Sequence, residues 1–295
     1  MPMPDQEPEA GLYRLRSVLQ QIGPMVVAFS GGADSSFLAW MATDTLGADN
    51  VHCVTAVSPS LAPEELADCR SLAGEWGLRF TEVVTDELAD PAYRANDGSR
   101  CFHCKTSLLE ALGPLADASG STVVLGVNLD DLGDHRPGQQ AAAAAGARFP
   151  LVEAGLTKDA VRALSKQLGL RTWDKPAAAC LASRVPYGTP VTLETLDSVA
   201  RAESGLRSLG FTQVRVRHYG DIARIEVPVR ELDTFVALRT EVTRVVHAAG
   251  YRYVTLDLDG FRSGNLNDAL SLPPRSGRAG SHTAQRVPVG SAGSK

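Results

Sequence analysis

No stretch of this 295-residue sequence approaches the roughly 18 consecutive apolar residues of a membrane-spanning helix, so no membrane is expected among its partners. Nor is there a basic excess. The 29 Lys and Arg residues are outnumbered by 34 Asp and Glu, for a formal charge of -5. An acidic balance argues against a protein whose affinity comes from gripping a nucleic-acid backbone. The opening MPMPDQEPEAG has neither the basic start nor the apolar core of a secretory signal, so a cytoplasmic protein is expected. Cysteine is scarce, at five residues, and an odd number in so long a chain does not describe a disulfide framework. The thiols read as intracellular ones, some of them metal ligands or reactive groups. Internal repeats are absent, and the alanine run at 141–145 is only a strong helix former.

What is present is the composition of an ordinary globular protein, 44% hydrophobic and 21% charged, long enough for one large α/β domain or two smaller ones. Residues 25–30, 51–57, 78–84 and 122–126 are short, nearly continuous apolar runs, the pattern of strands covered on both faces. Between them, Leu66, Cys69, Leu72, Ala73 and Trp76 recur on one helical face, with Gly77 as the stop. A further helix opens at the N-cap Thr157 and ends before Gly169. The alternation predicts an α/β, Rossmann-like parallel sheet with right-handed crossovers over residues 1–172. Residues 173–191 lose periodicity yet are too apolar for a solvated linker, and read as an ordered connector carrying Cys180. Residues 192–270 read helix–strand–strand–helix–strand, a small α+β domain of ferredoxin-like character. Its strands are expected at 213–217, 223–227 and 251–257, with one helix over 230–249. The Ser, Gly, Pro and Arg of 271–295 predict a disordered tail.

The densest chemistry lies in SGGADSS at 30–36, after the first strand and at the start of a helix. Gly31 and Gly32 allow a tight turn in which successive N–H groups and the helix N-terminus face an anion. Ser30, Ser35 and Ser36 add hydroxyl donors, and Asp34 can help hold Mg2+ or position the loop. An unremarkable strand-to-helix turn is the plain alternative, and no Lys is present to make a Walker A loop. A second segment, GVNLDDLGDHRPG at 126–138, follows the fourth strand. In a sheet of order 3-2-1-4-5 that strand neighbours the first, so both loops open onto one crevice. Gly126, Asn128, Asp130, Asp131, Asp134 and Arg136 crowd that strand end, with a solvated turn and helix cap as the alternative.

Cys53 inside a strand and Cys69 on an apolar helix face read as small core residues. Cys101-Phe-His-Cys104 reads as a loop pair between Arg100 and Lys105, suited to metal, iron–sulfur or redox chemistry because both sulfurs can reach one centre. Without a second CxxC it does not complete a structural zinc site. Cys180 has Lys175, Ser183 and Arg184 nearby in sequence, and cationic neighbours favour the thiolate. An inert connector thiol is the alternative. Arg215 and Arg217 alternate with Val214 and Val216, so both point to one sheet face, where they can bind phosphate or carboxylate. With Asp221, Arg224, Glu226 and Arg262 they otherwise make a charged solvent face.

Taken together, SGGADS, RCFHCK, GVNLDDLGDHRPG and PAAACLASRVPYG resemble the LarE family within the PP-loop ATP pyrophosphatases. The resemblance spans roughly residues 12 to 270, and PAAACLASRVPYG is its most specific part; SGGADS alone indicates only the superfamily. It implies an N-terminal PP-loop domain, a smaller C-terminal domain and an ATP-dependent sulfur insertase. The implied reaction is adenylation of a carboxylate on pyridinium-3,5-biscarboxylic acid mononucleotide, then sulfur delivery to give a thiocarboxylate. That product belongs to the making of the nickel-pincer nucleotide cofactor of lactate racemase and related enzymes. ATP and Mg2+ are expected on Ser30, Gly31, Gly32, Asp34, Ser35, Ser36, Gly126, Asn128, Asp131 and Arg136. The substrate is expected on Arg184, Arg215, Arg217, Glu226 and Arg262. Homo-oligomers, and contact with other nickel-pincer biosynthesis enzymes, are implied as well.

The family divides on its sulfur source. In one subgroup the cysteine matching Cys180 gives up its own sulfur and becomes dehydroalanine; in the other, three cysteines hold a 4Fe-4S cluster. Cys101, Cys104 and Cys180 match the three-cysteine pattern, with Asp34 and Cys180 as the expected catalytic residues. A PP-loop tRNA thiolase shares the chemistry but needs a basic surface. A non-catalytic nucleotide-binding module would leave the three cysteines unused.

Overall fold

The computed structural model describes residues 6–133, 137–176 and 179–262; Asp134, Arg136 and the expected tail at 271–295 lie outside them. The chain begins with α1 (Gln6–Ile22), β1 (Met25–Ala28), α2 (Ala33–Leu46), β2 (Val51–Val57), α3 (Pro63–Glu75) and β3 (Arg79–Val84). It continues through α4 (Pro91–Ala95), α5 (Arg100–Ser119), β4 (Thr122–Leu125), α6 (Pro137–Ala144), α7 (Pro150–Glu153) and α8 (Lys158–Gln167). The last third holds α9 (Leu193–Ser208), β5 (Arg215–Tyr219), β6 (Ile222–Glu226), α10 (Leu232–Ala237), α11 (Arg239–Ala248) and β7 (Tyr253–Leu256).

The first four strands are parallel in the order β3-β2-β1-β4. Met25, Val26 and Val27 are fully buried because helices cover both faces. Leu15 and Leu19 of α1, Phe37 and Met41 of α2 and Leu164 of α8 pack with Met25 and Val27 on one side. On the other, Leu112 and Ala116 of α5 close over Val26 and Val54. Two-sided cover is why these strands read as unbroken apolar runs. The fifth strand expected beside β4 is reduced, among the described residues, to a single bridge from Val124 to Arg148. Pro150 opens α7 two residues later and turns the chain off the sheet edge.

The second sheet has the order β5-β6-β7, antiparallel between β5 and β6 and parallel between β6 and β7. Here the expected bounds shift. The hairpin closes through the two-residue turn Gly220-Asp221, with Gly220 at φ 61°, which moves β5 two residues along. The helix expected over 230–249 is two helices, broken at Leu238 (φ -91°, ψ 20°). Val216, Ala223 and Ile225 pack against Leu196, Val199 and Leu206 of α9 and Val242 and Val246 of α11 in a second core.

Pieces from outside the small sheet complete that core: Tyr93 of α4, and Leu181, Ala182, Val185 and Val191 of the connector. The connector forms one 3-10 turn, Leu181–Arg184, and is tied down from α4 and α5. Asn96, at φ 55°, donates its side-chain amide to the carbonyls of Val185, Pro186 and Thr189 at 3.3, 2.9 and 2.8 Å. Arg100, only 5% exposed, donates to Asn96 Oδ1 and, at 2.9 Å, to the Ala182 carbonyl. Among the described residues no helix is long and apolar enough to cross a membrane.

Candidate active site

SGGADSS forms the turn from β1 into α2. Gly31 sits at φ 68°, and a Cβ there would lie 2.8 Å from Cys69 Sγ, so both backbone and space require glycine. Gly32 caps α2. Ser35 Oγ lies 3.0 Å from Ser30 Oγ and donates to the Gly32 carbonyl at 3.2 Å, which holds the loop closed. Ser36 Oγ and Asp34 Oδ1 are buried with no hydrogen-bond partner. Burial pushes the Asp34 carboxyl above its ordinary range; the Asn128 amide, close by but outside hydrogen-bond geometry, works against that, and Asp131 adds to it.

The loop after β4 packs directly onto this turn. A Cβ on Gly126 would lie 2.7 Å from the Ser35 backbone nitrogen, so the two loops touch backbone to backbone. Asn128 is fully buried; its Oδ1 accepts from the N–H groups of Asp130 and Asp131 at 3.0 and 3.3 Å, while its Nδ2 has no partner. Asp131 Oδ2 accepts from the Asn128 N–H at 3.2 Å. Asp130 is occupied elsewhere, accepting the Lys158 N–H at 2.7 Å at the start of α8. Between the loops, a cavity of about 210 Å³ is lined by Phe29, Ser30, Ser35, Val54, Lys105 and Gly126 among others. It lies at the carboxyl ends of β1, β2 and β4, where the chain runs outward on both sides of β1.

The cysteines sort differently from expectation in one respect. Cys53 and Cys69 are fully buried core residues, and burial pushes the Cys53 thiol up to about 12. Cys101 and Cys104, however, stand in the first two turns of α5 rather than in a loop. Cys101 is exposed; Cys104 is half-buried and packs, with Cys180, against the second core. Cys104 Sγ lies 3.7 Å from Glu87 Oε1, and burial, then Cys180 and Glu87, push its thiol up to about 12. Among the described residues no three Cys, His, Asp or Glu side chains converge as a metal-binding group.

The cations expected to favour a Cys180 thiolate are committed elsewhere. Lys175 Nζ donates to the Gly31 carbonyl at 3.0 Å and pairs with Asp68 and Glu65 at 2.6 and 2.9 Å, tying the connector to the PP-loop. Arg184 forms a two-bond fork on Glu203, at 2.8 and 2.9 Å, and donates to the carbonyls of Ala179 and Cys180. Against the opposing effect of burial, that fork holds the Glu203 carboxyl below its ordinary range.

Arg217 is likewise not free to form a bidentate clasp on a ligand. Its fork rests on Glu226 at 3.0 and 2.8 Å, and its Nη1 donates to the Ser183 carbonyl at 3.0 Å. Arg215 differs. It donates to the Val214 carbonyl, stacks 5.3 Å over Phe261 and forms no salt bridge among the described residues. Burial, with Arg184 nearby, lowers its pKa to about 10. Arg262 is exposed and holds Asp259 only loosely, at 3.4 Å. Lys105, read in the sequence only as the residue that closes RCFHCK and given no role there, stands one helical repeat after Cys101.

A parallel sheet with SGGADSS at its switch point, and a second strand-end loop pressed onto it, defines a PP-loop enzyme that uses ATP. The NAD synthase family matches residues 14–99, the stretch from α1 to the start of α5. A glutamine-dependent NAD(+) synthetase of Rhodobacter capsulatus is 37% identical over 81 residues, but these are 27% of this chain and 15% of that one. That likeness concerns the nucleotide-binding portion alone. The pyridinium-3,5-bisthiocarboxylic acid mononucleotide synthase of Lactiplantibacillus plantarum is 43% identical over 258 residues, 87% of this chain and 94% of the relative. An uncharacterized protein of Synechocystis is 47% identical over 266 residues, 89% and 99% of the two chains. The chain belongs to the LarE family of ATP-dependent PP-loop enzymes.

Proposed function

We propose that this protein adenylates a carboxylate of pyridinium-3,5-biscarboxylic acid mononucleotide and replaces a carboxylate oxygen by sulfur, in nickel-pincer nucleotide cofactor biosynthesis. The 43% identity to the Lactiplantibacillus plantarum synthase, across 94% of its length, carries the reading. The chemistry explains the need for ATP. A carboxylate resists attack because oxide is a poor leaving group; adenylation makes the departing oxygen part of AMP, and a sulfur nucleophile can then take the carbonyl carbon.

The residues fit a nucleotide. Asp34 Oδ1, Ser36 Oγ and Asn128 Nδ2 are buried polar atoms without partners, gathered where the two loops meet. Asp34 is the residue that would hold Mg2+, which when bound supplies positive charge against the triphosphate. Arg215, without a salt bridge among the described residues, and the exposed Arg262, held only by Asp259 at 3.4 Å, are the cations offered to the substrate's phosphate and carboxylates, while Arg184–Glu203 and Arg217–Glu226 stiffen the walls beside Ser183.

For the sulfur source, the three-cysteine reading places a 4Fe-4S cluster on Cys101, Cys104 and Cys180. The donors are right in kind, and Arg100 and Asn96 tie their two segments together. A cluster held by three thiolates would supply one iron without a protein ligand, open to an extra sulfide. Of the three, Cys101 is exposed and Cys104 and Cys180 are half-buried. In the second reading Cys180 surrenders its own sulfur, and no three converging donors are needed; none are found among the described residues.

Pyrophosphate release tests the function. It should require the pyridinium mononucleotide, with neither tRNA nor ATP alone sufficing; release with tRNA would overturn it. Iron and acid-labile sulfide after anaerobic purification, with the intact mass after turnover, separate the sulfur sources. Dehydroalanine at Cys180 in an iron-free protein would sink the cluster.

A further inference from the structure

The polar groups lining the cavity above β1, β2 and β4 are Ser30 and Ser35 of the PP-loop, Thr55 of β2 and Lys105 of α5. Ser30 and Ser35 are bonded to each other, and Thr55 Oγ1 donates to the Phe29 carbonyl at 2.6 Å. Lys105 makes no hydrogen bond or ion pair among the described residues. The contrast with Lys175 is informative, since that lysine approaches the same loop from the connector and is neutralised by Asp68 and Glu65. A lysine packed into the cavity wall, with no carboxylate partner among the described residues and facing the PP-loop turn, is stabilised in its charged form most by a negatively charged ligand. Its backbone is also held in place. Gly138 packs so closely on α5 that a Cβ there would lie 3.0 Å from the Cys101 carbonyl oxygen and 3.2 Å from Lys105 Cβ.

We propose that Lys105 is a ligand of the ATP phosphate chain, gripping it from the side opposite the PP-loop and stabilising pyrophosphate as it departs. The inference rests on the nucleotide reading above. In that step a substrate carboxylate oxygen bonds to the α-phosphorus, the bond from that phosphorus to the bridging oxygen breaks, and the electron pair leaves with pyrophosphate. Lys105 transfers no proton in this step and meets the charge that builds on the leaving group. Because Lys105 directly follows Cys104, the first turns of α5 carry both the phosphate-binding cation and two of the three sulfur-site thiols. One helix then links activation to sulfur delivery.

Titration calorimetry of the full chain with Mg-ATP, and with adenosine as the phosphate-free probe, tests this on Lys105→Met and Lys105→Arg. Loss of a charge-assisted contact predicts Mg-ATP binding weaker by roughly ten- to hundredfold in Lys105→Met, substantially recovered in Lys105→Arg. Adenosine affinity should stay within about twofold of wild type, which also reports an intact fold. Unchanged Mg-ATP binding by Lys105→Met, or an equal loss for adenosine, overturns the inference while leaving the nucleotide site standing. A wild-type protein that binds no Mg-ATP overturns both.

Discussion

Arg217 commits its guanidinium to Glu226 and Ser183, whereas Arg215, two residues earlier on the same sheet face, forms no salt bridge among the described residues. Arg217→Ala should therefore unfold more readily, by roughly 1.5–3 kcal/mol in urea titration, because it takes the two-bond partner from the fully buried Glu226, which keeps the Arg224 contact at 2.9 Å. Arg215→Met should leave stability nearly unchanged and weaken binding of the pyridinium mononucleotide roughly ten- to hundredfold. Equal effects of the two changes on stability would contradict the assignment. Alternation along the strand was enough to place both arginines on one face. It could not show that Glu226 neutralises one of them, since that depends on the hairpin register. Asp34 carries a different signature. Its carboxyl titrates above the ordinary range, so the folded state binds that proton more tightly than the unfolded chain does. Stability from this group is complete below the ordinary Asp pKa and is lost as pH rises through the raised one. Asp34→Asn should thus melt at least as high as wild type near neutral pH, with the difference fading in acid, while forming no AMP. A mutant that melts lower at neutral pH would reject this account of Asp34.

At the scale of elements, the site depends on two close contacts that sequence motifs only hint at. The β4 loop meets α2 at Gly126, where any side chain would collide with the backbone of Ser35. Gly126→Ala should push the loops apart and abolish Mg-ATP binding while far-UV circular dichroism stays native; retained binding would show the contact to be slack. The connector is held by Asn96, whose amide serves three carbonyls and whose Oδ1 accepts from Arg100. Asn96→Ala should cost roughly 2–4 kcal/mol, read by chemical denaturation, since it removes several buried hydrogen bonds at once. The two strand-end loops were legible because glycines and short polar residues clustered after apolar runs. The start of α5 was not, since Cys, Phe and His are indifferent helix formers and the CxxC spacing fits a loop as well as a turn of helix. Arg100, at the start of that helix, is buried against Asn96 and the connector, and such a contact leaves no local mark in the sequence.

For the molecule as a whole, the parallel sheet was readable in advance because burial on both faces writes continuous apolar runs. The small sheet was readable as an order of elements, but its bounds moved with the Gly220-Asp221 turn and its long helix broke at Leu238. What no periodicity revealed is that Tyr93 and the connector complete the second core, so that Cys180 and Cys104 come to rest against one apolar cluster. On the proposed reading, nucleotide activation on the first sheet and sulfur chemistry beside the second core would share α5 and the connector as common walls. Mass spectrometry of the pyridinium mononucleotide after anaerobic incubation with enzyme, ATP and Mg2+ tests this account most directly. It predicts a substrate in which sulfur has replaced a carboxylate oxygen, accompanied by AMP and pyrophosphate. An unaltered mononucleotide, or ADP and orthophosphate as the nucleotide products, would contradict it.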